Sequence, residues 1–175
     1  MSNERIIITG FMGSGKSTVA RALARLLNCE MIDLDEVIAR VEGRSPRQII
    51  IEDGESSFRK VETRVLGSVL KTDGTRVVAL GGGAWTLQRN RDLIGGRGGI
   101  SVWLDAPFSL CWERILASGS ERPLAQDELQ TQKLYRERLA SYERSDLHIE
   151  AVENRSAEEI AGEIAQFLST RKKID

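Results

Sequence analysis

The residues best suited to chemistry in this 175-residue chain are residues 10–18, which read GFMGSGKST. The spacing G-x-x-x-x-G-K-[ST] is that of a phosphate-binding loop (P-loop), whose glycines let successive backbone N–H groups turn toward phosphate oxygens. Lys16 would neutralise the β- and γ-phosphates, and the Ser17 hydroxyl would ligate the Mg²⁺ that a triphosphate carries. A chance glycine turn is the alternative, but this loop also stands between a predicted strand and a predicted helix. We therefore expect ATP and Mg²⁺ as cofactors, with nucleotide contacts from Gly13, Ser14, Gly15, Lys16, Ser17 and Thr18.

Two aspartates, Asp33 and Asp35, follow the second predicted strand. Residues two apart on a strand point to the same side, so both carboxylates are expected to face the mouth of the P-loop. A P-loop enzyme needs one carboxylate to hold Mg²⁺ and one to orient or deprotonate the acceptor hydroxyl. The alternative for Asp35 is that it is only the N-cap of the next helix, where aspartate is favoured.

An arginine–glutamate pair and a run of glycines come next. Arg59 and Glu62 are three residues apart in a predicted helix, so the carboxylate can hold the guanidinium. On a surface helix such a pair contributes only a few tenths of a kcal/mol and needs no functional explanation. The third predicted strand ends in Gly81, Gly82 and Gly83, where a ligand could approach the backbone closely; a flexible turn is the alternative.

A polar segment, residues 119–126, lies between two predicted helices and contains Arg122. Over a phosphate site, such a segment acts as a lid that excludes water and brings a cation to the transferred phosphoryl group. Without that context it is simply a loop. In the helix that follows, nothing local distinguishes Arg138 from Arg136.

The elements that must position these residues alternate along the chain as strand and helix. Helical crossovers join parallel strands, so the expected fold class is α/β, with three α/β/α layers around a central five-stranded parallel sheet. Ligands bind at the carboxyl ends of the strands in such sheets, which is where the residues above cluster. The predicted strands are residues 6–9, 30–33, 76–80, 99–104 and 147–150; the predicted helices are 16–27, 34–41, 46–53, 54–71, 86–93, 107–117, 127–142 and 156–170.

Composition indicates one domain over residues 1–175. The chain has 25 Lys and Arg against 26 Asp and Glu, so no electrostatic attraction to nucleic acid or to an anionic membrane is expected. No signal peptide or membrane-spanning run is recognisable, and Cys29 and Cys111 lie far apart. These features predict reduced thiols in a cytoplasmic protein.

In this order, the motifs resemble those of the shikimate kinases, a family with the nucleoside-monophosphate-kinase-like P-loop fold. The resemblance runs from residue 6 to about residue 164, and is most specific where F-R-x-x-E and G-G-G stand in register with D-x-D. It implies ATP-dependent phosphorylation of the 3-hydroxyl of shikimate, a step of aromatic amino acid biosynthesis, by a monomeric enzyme.

The resemblance also implies roles for individual residues. Asp33 would help to hold Mg²⁺, and Asp35 would bind the reacting hydroxyl. The substrate-binding region would span residues 34–62 and the lid residues 119–126, with Arg122 as the lid arginine. The catalytic residues would be Lys16, Asp35 and Arg122; the shikimate contacts Asp35, Arg59, Gly81, Gly82, Gly83 and Arg138; and the adenine candidates Arg114 and Arg155.

One departure from the family lies just after Arg138, where residues 139–142 read LASY without the proline that the family often has. Two arginines that bind a carboxylate, together with an aspartate, suit a small polyol acid. Within the same class, a gluconate-kinase-like enzyme is the alternative. Outside it, the alternative is a regulatory ATP-binding module that has lost turnover. The sequence gives no account of Trp85, which is bulky for a position beside the glycine run.

Overall fold

The computed structural model describes residues 5–74, 76–119 and 127–171. Within these ranges the strands are β1 (Arg5–Thr9), β2 (Glu30–Asp33), β3 (Arg76–Ala79), β4 (Gly99–Asp105) and β5 (Leu147–Glu150). The helices are α1 (Lys16–Leu26), α2 (Leu34–Glu42), α3 (Pro46–Asp53), α4 (Glu55–Val69), α5 (Gln88–Gly95), α6 (Phe108–Ala117), α7 (Glu128–Tyr142) and α8 (Ala157–Arg171). A short 3-10 helix (Ala84–Thr86) before α5 was not predicted; the other elements agree with the sequence-based ones to within about two residues.

The strands form one sheet in the order β2-β3-β1-β4-β5, and every neighbouring pair is parallel. The α/β expectation is therefore confirmed. The strand order reverses at β1, which has β3 on one side and β4 on the other. Such a reversal opens a crevice at the carboxyl ends of the strands, and here it brings the loop after β1 next to the glycine run after β3.

The core is built on the central strand. Ile6, Ile7 and Ile8 of β1 have no solvent exposure, as expected of a strand covered by helices on both faces. Leu23 of α1 and Leu66 of α4 are also fully buried. Helix α1 packs against β3 and α8, so the helix that follows the P-loop is held firmly against the sheet.

None of the helices within the described ranges combines the length and apolar character that a membrane span requires. Cys29 and Cys111 are thiols rather than members of a disulfide.

Candidate active site

The loop between β1 and α1 has the backbone geometry of an anion-binding nest. Gly13 and Gly15 have φ values of 80° and 94°, which residues with a side chain rarely adopt. A Cβ on Gly13 would also lie 2.5 Å from the carbonyl oxygen of Cys111. Gly15 is the N-cap of α1 and none of the described side chains caps that helix, so its first N–H groups and its dipole point toward a ligand. Lys16 Nζ donates a 2.8 Å hydrogen bond to the carbonyl oxygen of Phe11, which keeps the cation over the loop.

Ser17 and Asp33 form a pair of oxygen donors beside the P-loop. Ser17 Oγ donates to Asp33 Oδ2 at 2.6 Å, and Asp33 Oδ1 accepts the backbone N–H of Asp35 at 3.0 Å. Mg²⁺ at nucleotide sites is held by one or two such side-chain oxygens together with phosphate oxygens and waters, so this donor set fits it. In the described parts of the chain, no group of three or more His, Cys, Asp or Glu side chains could form a metal cage made by protein alone.

The sequence predicted that Asp35 lies at the end of a strand, but in the structure it does not. Strand β2 ends at Asp33, and α2 begins at the next residue with Asp33 as its N-cap. The period of two does not extend to Asp35, because this residue belongs to α2, in agreement with the predicted helix 34–41. The alternative that Asp35 is the N-cap of this helix is also wrong, because Asp33 occupies that position. From the first turn of α2, Asp35 lines the cavity that also contains Lys16 and Gly81.

Arg59 and Glu62 are not a surface pair. Glu62 has no solvent exposure, and the Arg59 side chain is only 12% exposed. Arg59 Nη1 donates to Glu62 Oε2 at 2.8 Å, while Arg59 Nη2 donates to Glu55 Oε1 at 2.9 Å. Burial raises the pKa of Glu62 to about 7, with a smaller contribution from the negative charge of Asp35, and Arg59 and Arg138 oppose the rise. The guanidinium is thus held from two sides, and sequence reasoning missed Glu55 although it stands four residues before the arginine.

The three glycines after β3 each leave room for a different group. A Cβ on Gly81 would lie 2.9 Å from Glu62 Oε1 and 3.0 Å from Asp35 Oδ1. On Gly83 it would lie 2.2 Å from Arg59 Nη2. On Gly82 it would contact the backbone N of the P-loop residue Met12 at 3.2 Å. The run forms a turn closed by the hydrogen bond from the Ala84 N–H to the Gly81 carbonyl oxygen, and its backbone is closely packed against these groups. We call residues 81–83 the glycine wall.

Arg138 approaches the glycine wall from α7. It is 6% exposed, and its Nη1 would be 3.5 Å from a Cβ on Gly82. Its guanidinium carbon lies 5.8 Å from the centre of the Phe11 ring. Arg136 is exposed to solvent. The structure thus distinguishes the two arginines, which the local sequence could not.

Two cavities adjoin the P-loop. One, of about 290 Å³, contains Asp33, Asp35, Lys16 and two residues of the glycine wall. The other, of about 260 Å³, lies between α1, Arg114 and Arg155. Both are lined by Gly15, Thr18 and Arg114, so they form one continuous groove that runs from the glycine wall past the phosphate loop.

The two arginines of the second cavity are held by hydrogen bonds. Arg114 Nη1 donates to the carbonyl oxygen of Gly13 at 3.3 Å. Arg155 Nη1 donates to the carbonyl oxygen of Glu150 at 2.8 Å, and Arg155 also pairs with Glu163. Both adenine candidates therefore line a cavity beside the P-loop. Arg122, with residues 120–126 of the predicted lid, lies outside the described residues.

Trp85 packs away from the groove. It is 4% exposed, and its Nε1 donates a 2.9 Å hydrogen bond to the carbonyl oxygen of Ser141 at the end of α7. The buried Tyr142 hydroxyl donates to the carbonyl oxygen of Gly82. Sequence reasoning used Tyr142 only to align a motif, and no local signal indicated these contacts with the glycine wall.

The parallel sheet, the P-loop and the groove lined by Lys16, two aspartates and two arginines define a phosphotransferase of the P-loop kinase class. A model of the shikimate kinase family matches residues 12–169. The chain belongs to that family, and its activity is the ATP-dependent phosphorylation of shikimate. A shikimate kinase from Nostoc punctiforme is 36% identical over 171 residues, which cover 96% of this chain and 92% of the relative.

Solved structures agree with this assignment. The shikimate kinase from Acinetobacter baumannii in complex with shikimate has a TM-score of 0.87 at 35% identity, and the match covers 96% of this chain and 94% of that one. A gluconokinase from Sinorhizobium meliloti has a TM-score of 0.64 at 20% identity, over 97% of each chain. The second likeness concerns the fold alone and does not support the gluconate alternative.

Proposed function

We propose that the 3-hydroxyl of shikimate receives the γ-phosphoryl group of ATP at the glycine wall. This proposal rests on the positions of two positive and two negative side chains around the three residues of the glycine wall. Arg59 and Arg138 approach Gly83 and Gly82, while the carboxylates of Asp35 and Glu62 approach Gly81. Two buried guanidinium groups suit the planar carboxylate of the acceptor, and carboxylates suit its ring hydroxyls.

In the proposed reaction, Asp35 orients the acceptor hydroxyl and takes its proton. The hydroxyl oxygen forms a bond to the γ-phosphorus as the bond from that phosphorus to the bridging oxygen breaks, which releases ADP. Lys16 and the P-loop amides neutralise charge on the phosphates. Arg122 in the lid segment would add positive charge to the transferred group, in agreement with its place in the motif order.

Glu62 holds Arg59 with one oxygen and has its other oxygen beside Gly81 of the glycine wall. Its Oε2 is bonded to Arg59, and its Oε1 has no hydrogen-bond partner among the described residues. A buried acceptor without a donor is costly, so a ligand hydroxyl or an ordered water at this position would stabilise the site.

Ser17 and Asp33 would hold Mg²⁺, which supplies charge neutralisation at the β- and γ-phosphates. The hydrogen bond between Ser17 and Asp33 keeps the two oxygens together. The adenine would lie in the cavity between Arg114 and Arg155, whose guanidinium groups are fixed by backbone carbonyls. We further propose a cytoplasmic monomer with no nucleic-acid or membrane partner, in agreement with the balanced charge and the two thiols.

The test is a coupled assay of ADP release with shikimate or gluconate as the acceptor, with the phosphorylated position identified by NMR. We expect turnover with shikimate alone and phosphate on its 3-hydroxyl. Turnover with gluconate would favour the other small-molecule kinase, and ATP binding without any turnover would favour a regulatory module.

The carboxylate contacts are tested by Arg59→Ala and Arg138→Ala, with Arg136→Ala on the same helix as the matched control. Loss of a charge-assisted contact should raise KM for shikimate at least about tenfold in the first two variants. KM for ATP should stay unchanged. An acceptor with a carboxamide in place of the carboxylate should be poor with the parent enzyme; equal use of acid and amide would refute the proposed carboxylate contacts.

A further inference from the structure

Tyr142 lies where α7 meets the glycine wall. Arg138 and Tyr142 are four residues apart on α7, so their side chains lie on the same face of the helix. Both are buried, Tyr142 completely. A fully buried phenol must find partners for its hydroxyl, and the identity of those partners indicates its role.

The hydroxyl joins two parts of the acceptor site. It donates a hydrogen bond to the carbonyl oxygen of Gly82, and it lies near the positively charged guanidinium of Arg138. Burial raises the pKa of Tyr142 to about 12, so the hydroxyl keeps the proton that it donates to Gly82.

The Tyr142 ring is itself held in place. It stacks on the indole of Trp103 in β4, with ring centroids 6.0 Å apart and an interplanar angle of 27°. The preceding residue, Ser141, accepts the hydrogen bond from Trp85 Nε1 at 2.9 Å. The end of α7 is thus joined to the segment around the glycine wall by two hydrogen bonds, and the tyrosine side chain supplies one of them.

Gly82 is the position where a small shift would matter. A Cβ there would lie 3.2 Å from the backbone N of Met12 and 3.5 Å from Arg138 Nη1, so the residue is packed between the P-loop and the arginine. The chain lacks a proline after Arg138, and α7 continues as a regular helix through residues 139–141. The direction of the Arg138 side chain therefore depends on its neighbours. One of them is Gly82, whose carbonyl oxygen is held by the Tyr142 hydroxyl.

We propose that Tyr142 is a positioning residue for the acceptor: its hydroxyl sets the relative placement of Arg138 and Gly82, and thereby the affinity for the acceptor carboxylate. The inference rests on the proposed function, because it assumes that Arg138 binds that carboxylate beside the glycine wall. Tyr142 does not itself contact the nucleotide groove, so the nucleotide should be unaffected.

The experiment compares Tyr142→Phe with Tyr135→Phe, a matched control on the same helix. The Tyr135 hydroxyl donates to the carbonyl oxygen of Ala106 at 3.1 Å. We expect Tyr142→Phe to raise KM for shikimate about five- to tenfold, with KM for ATP and kcat within about twofold of the parent. Tyr135→Phe should leave both KM values within about twofold. Parallel rises in both KM values, or an unchanged KM for shikimate, would overturn the proposal.

The same substitution in an Arg138→Ala background tests whether Tyr142 acts through the arginine. Little further rise in KM is expected there, since the positioned group is gone. If Tyr142→Phe raised KM for shikimate by the same factor in the parent and in Arg138→Ala, the proposal that Tyr142 acts through Arg138 would be overturned. If Tyr142→Phe does not fold, para-fluorophenylalanine at position 142 keeps the shape, removes the donor and should give the same KM pattern. Absence of shikimate turnover in the parent enzyme would refute the proposed function instead, which separates the two failures.

Discussion

Glu62, which has no solvent exposure, accepts a 2.8 Å hydrogen bond from Arg59 Nη1 behind the glycine wall. Ion pairs three residues apart on a helix are usually solvated and weak, but this one is buried, so each partner depends on the other for its charge to be tolerated. Removal of Glu62 would leave Arg59 paired with Glu55 alone, and removal of Arg59 would leave the Glu62 carboxylate without its hydrogen-bonded cation.

The first prediction is that shikimate binding weakens as the pH falls through about 7, the value to which burial raises the Glu62 pKa. Protonation removes the negative charge that holds Arg59. The other charged groups facing Glu62 are Asp35 and Arg138. Calorimetric titration of shikimate without nucleotide should show this dependence in the parent and a flat profile in Glu62→Gln. Equal pH profiles in the two proteins would contradict it.

The second prediction concerns stability, where the same group acts in the opposite direction. The folded chain keeps the Glu62 proton up to about pH 7, while the unfolded chain releases it near the ordinary pKa of 4.5. The folded state therefore binds more protons in this window, and the contribution of Glu62 to the free energy of unfolding falls as the pH rises through it. Thermal melts should show that Tm falls more steeply with rising pH in the parent than in Glu62→Gln. The same slope in both would mean that Glu62 titrates normally.

The third prediction is that Gly83→Ala damages the acceptor site without straining the backbone. Gly83 has an ordinary φ of −106°, but its Cβ would lie 2.2 Å from Arg59 Nη2 and displace the guanidinium. We expect KM for shikimate to rise at least about tenfold, as for loss of the arginine contact. Gly67→Ala in α4 is the control, since nothing lies within 4 Å of its Cβ; it should stabilise the helix by up to about 1 kcal/mol. Steady-state kinetics and thermal melts distinguish the two.

The fourth prediction separates the two aspartates. Asp35→Asn should lower kcat by about 10²–10⁴-fold, as expected for loss of a general base, with KM for ATP and Tm nearly unchanged. Asp33→Ala should lower stability by about 1 kcal/mol because it removes the N-cap of α2, and should also raise the Mg²⁺ concentration needed for turnover. An unchanged kcat in Asp35→Asn would show that Asp35 is not the general base.

The fifth prediction is that Lys16→Ala abolishes nearly all turnover while the fold is retained. Lys16 reaches over the P-loop to the carbonyl oxygen of Phe11, and we expect it to move to the phosphates of ATP when they bind. Turnover and circular dichroism are the measurements. An unchanged kcat in a folded variant would argue against the P-loop as the nucleotide site.

The strands and helices could be predicted because each apolar run or amphipathic stretch has its own period, and because crossovers require a parallel sheet. The burial of Glu62 could not be predicted from the sequence. Its spacing from Arg59 is that of an ordinary surface pair, and only the packing of α4 against the glycine wall makes it buried. Asp35 lines the cavity as expected, but it does so from α2. The strand period of two was applied across the boundary between the predicted strand 30–33 and the predicted helix 34–41, where it no longer holds.

The environments of Arg138 and Trp85 could not be predicted either, because they depend on contacts between residues that are distant in the sequence. Arg136 and Arg138 have similar neighbours in sequence, and the difference in their exposure follows from which side of α7 faces Phe11. Trp85 faces Ser141, which is 56 residues away in the chain. Contacts of that separation leave no periodic signal, so they become visible only in three dimensions.

The glycine wall has a consequence for inhibitors and for the evolution of resistance to them. A compound held by main-chain atoms of residues 81–83 meets a surface on which a side chain cannot be introduced freely. On Gly81 it would press on Asp35 and Glu62, and on Gly83 it would collide with Arg59. Mutations that block such a compound at the wall would also disturb the groups proposed to bind the natural acceptor, so resistance gained there would come with weaker acceptor binding.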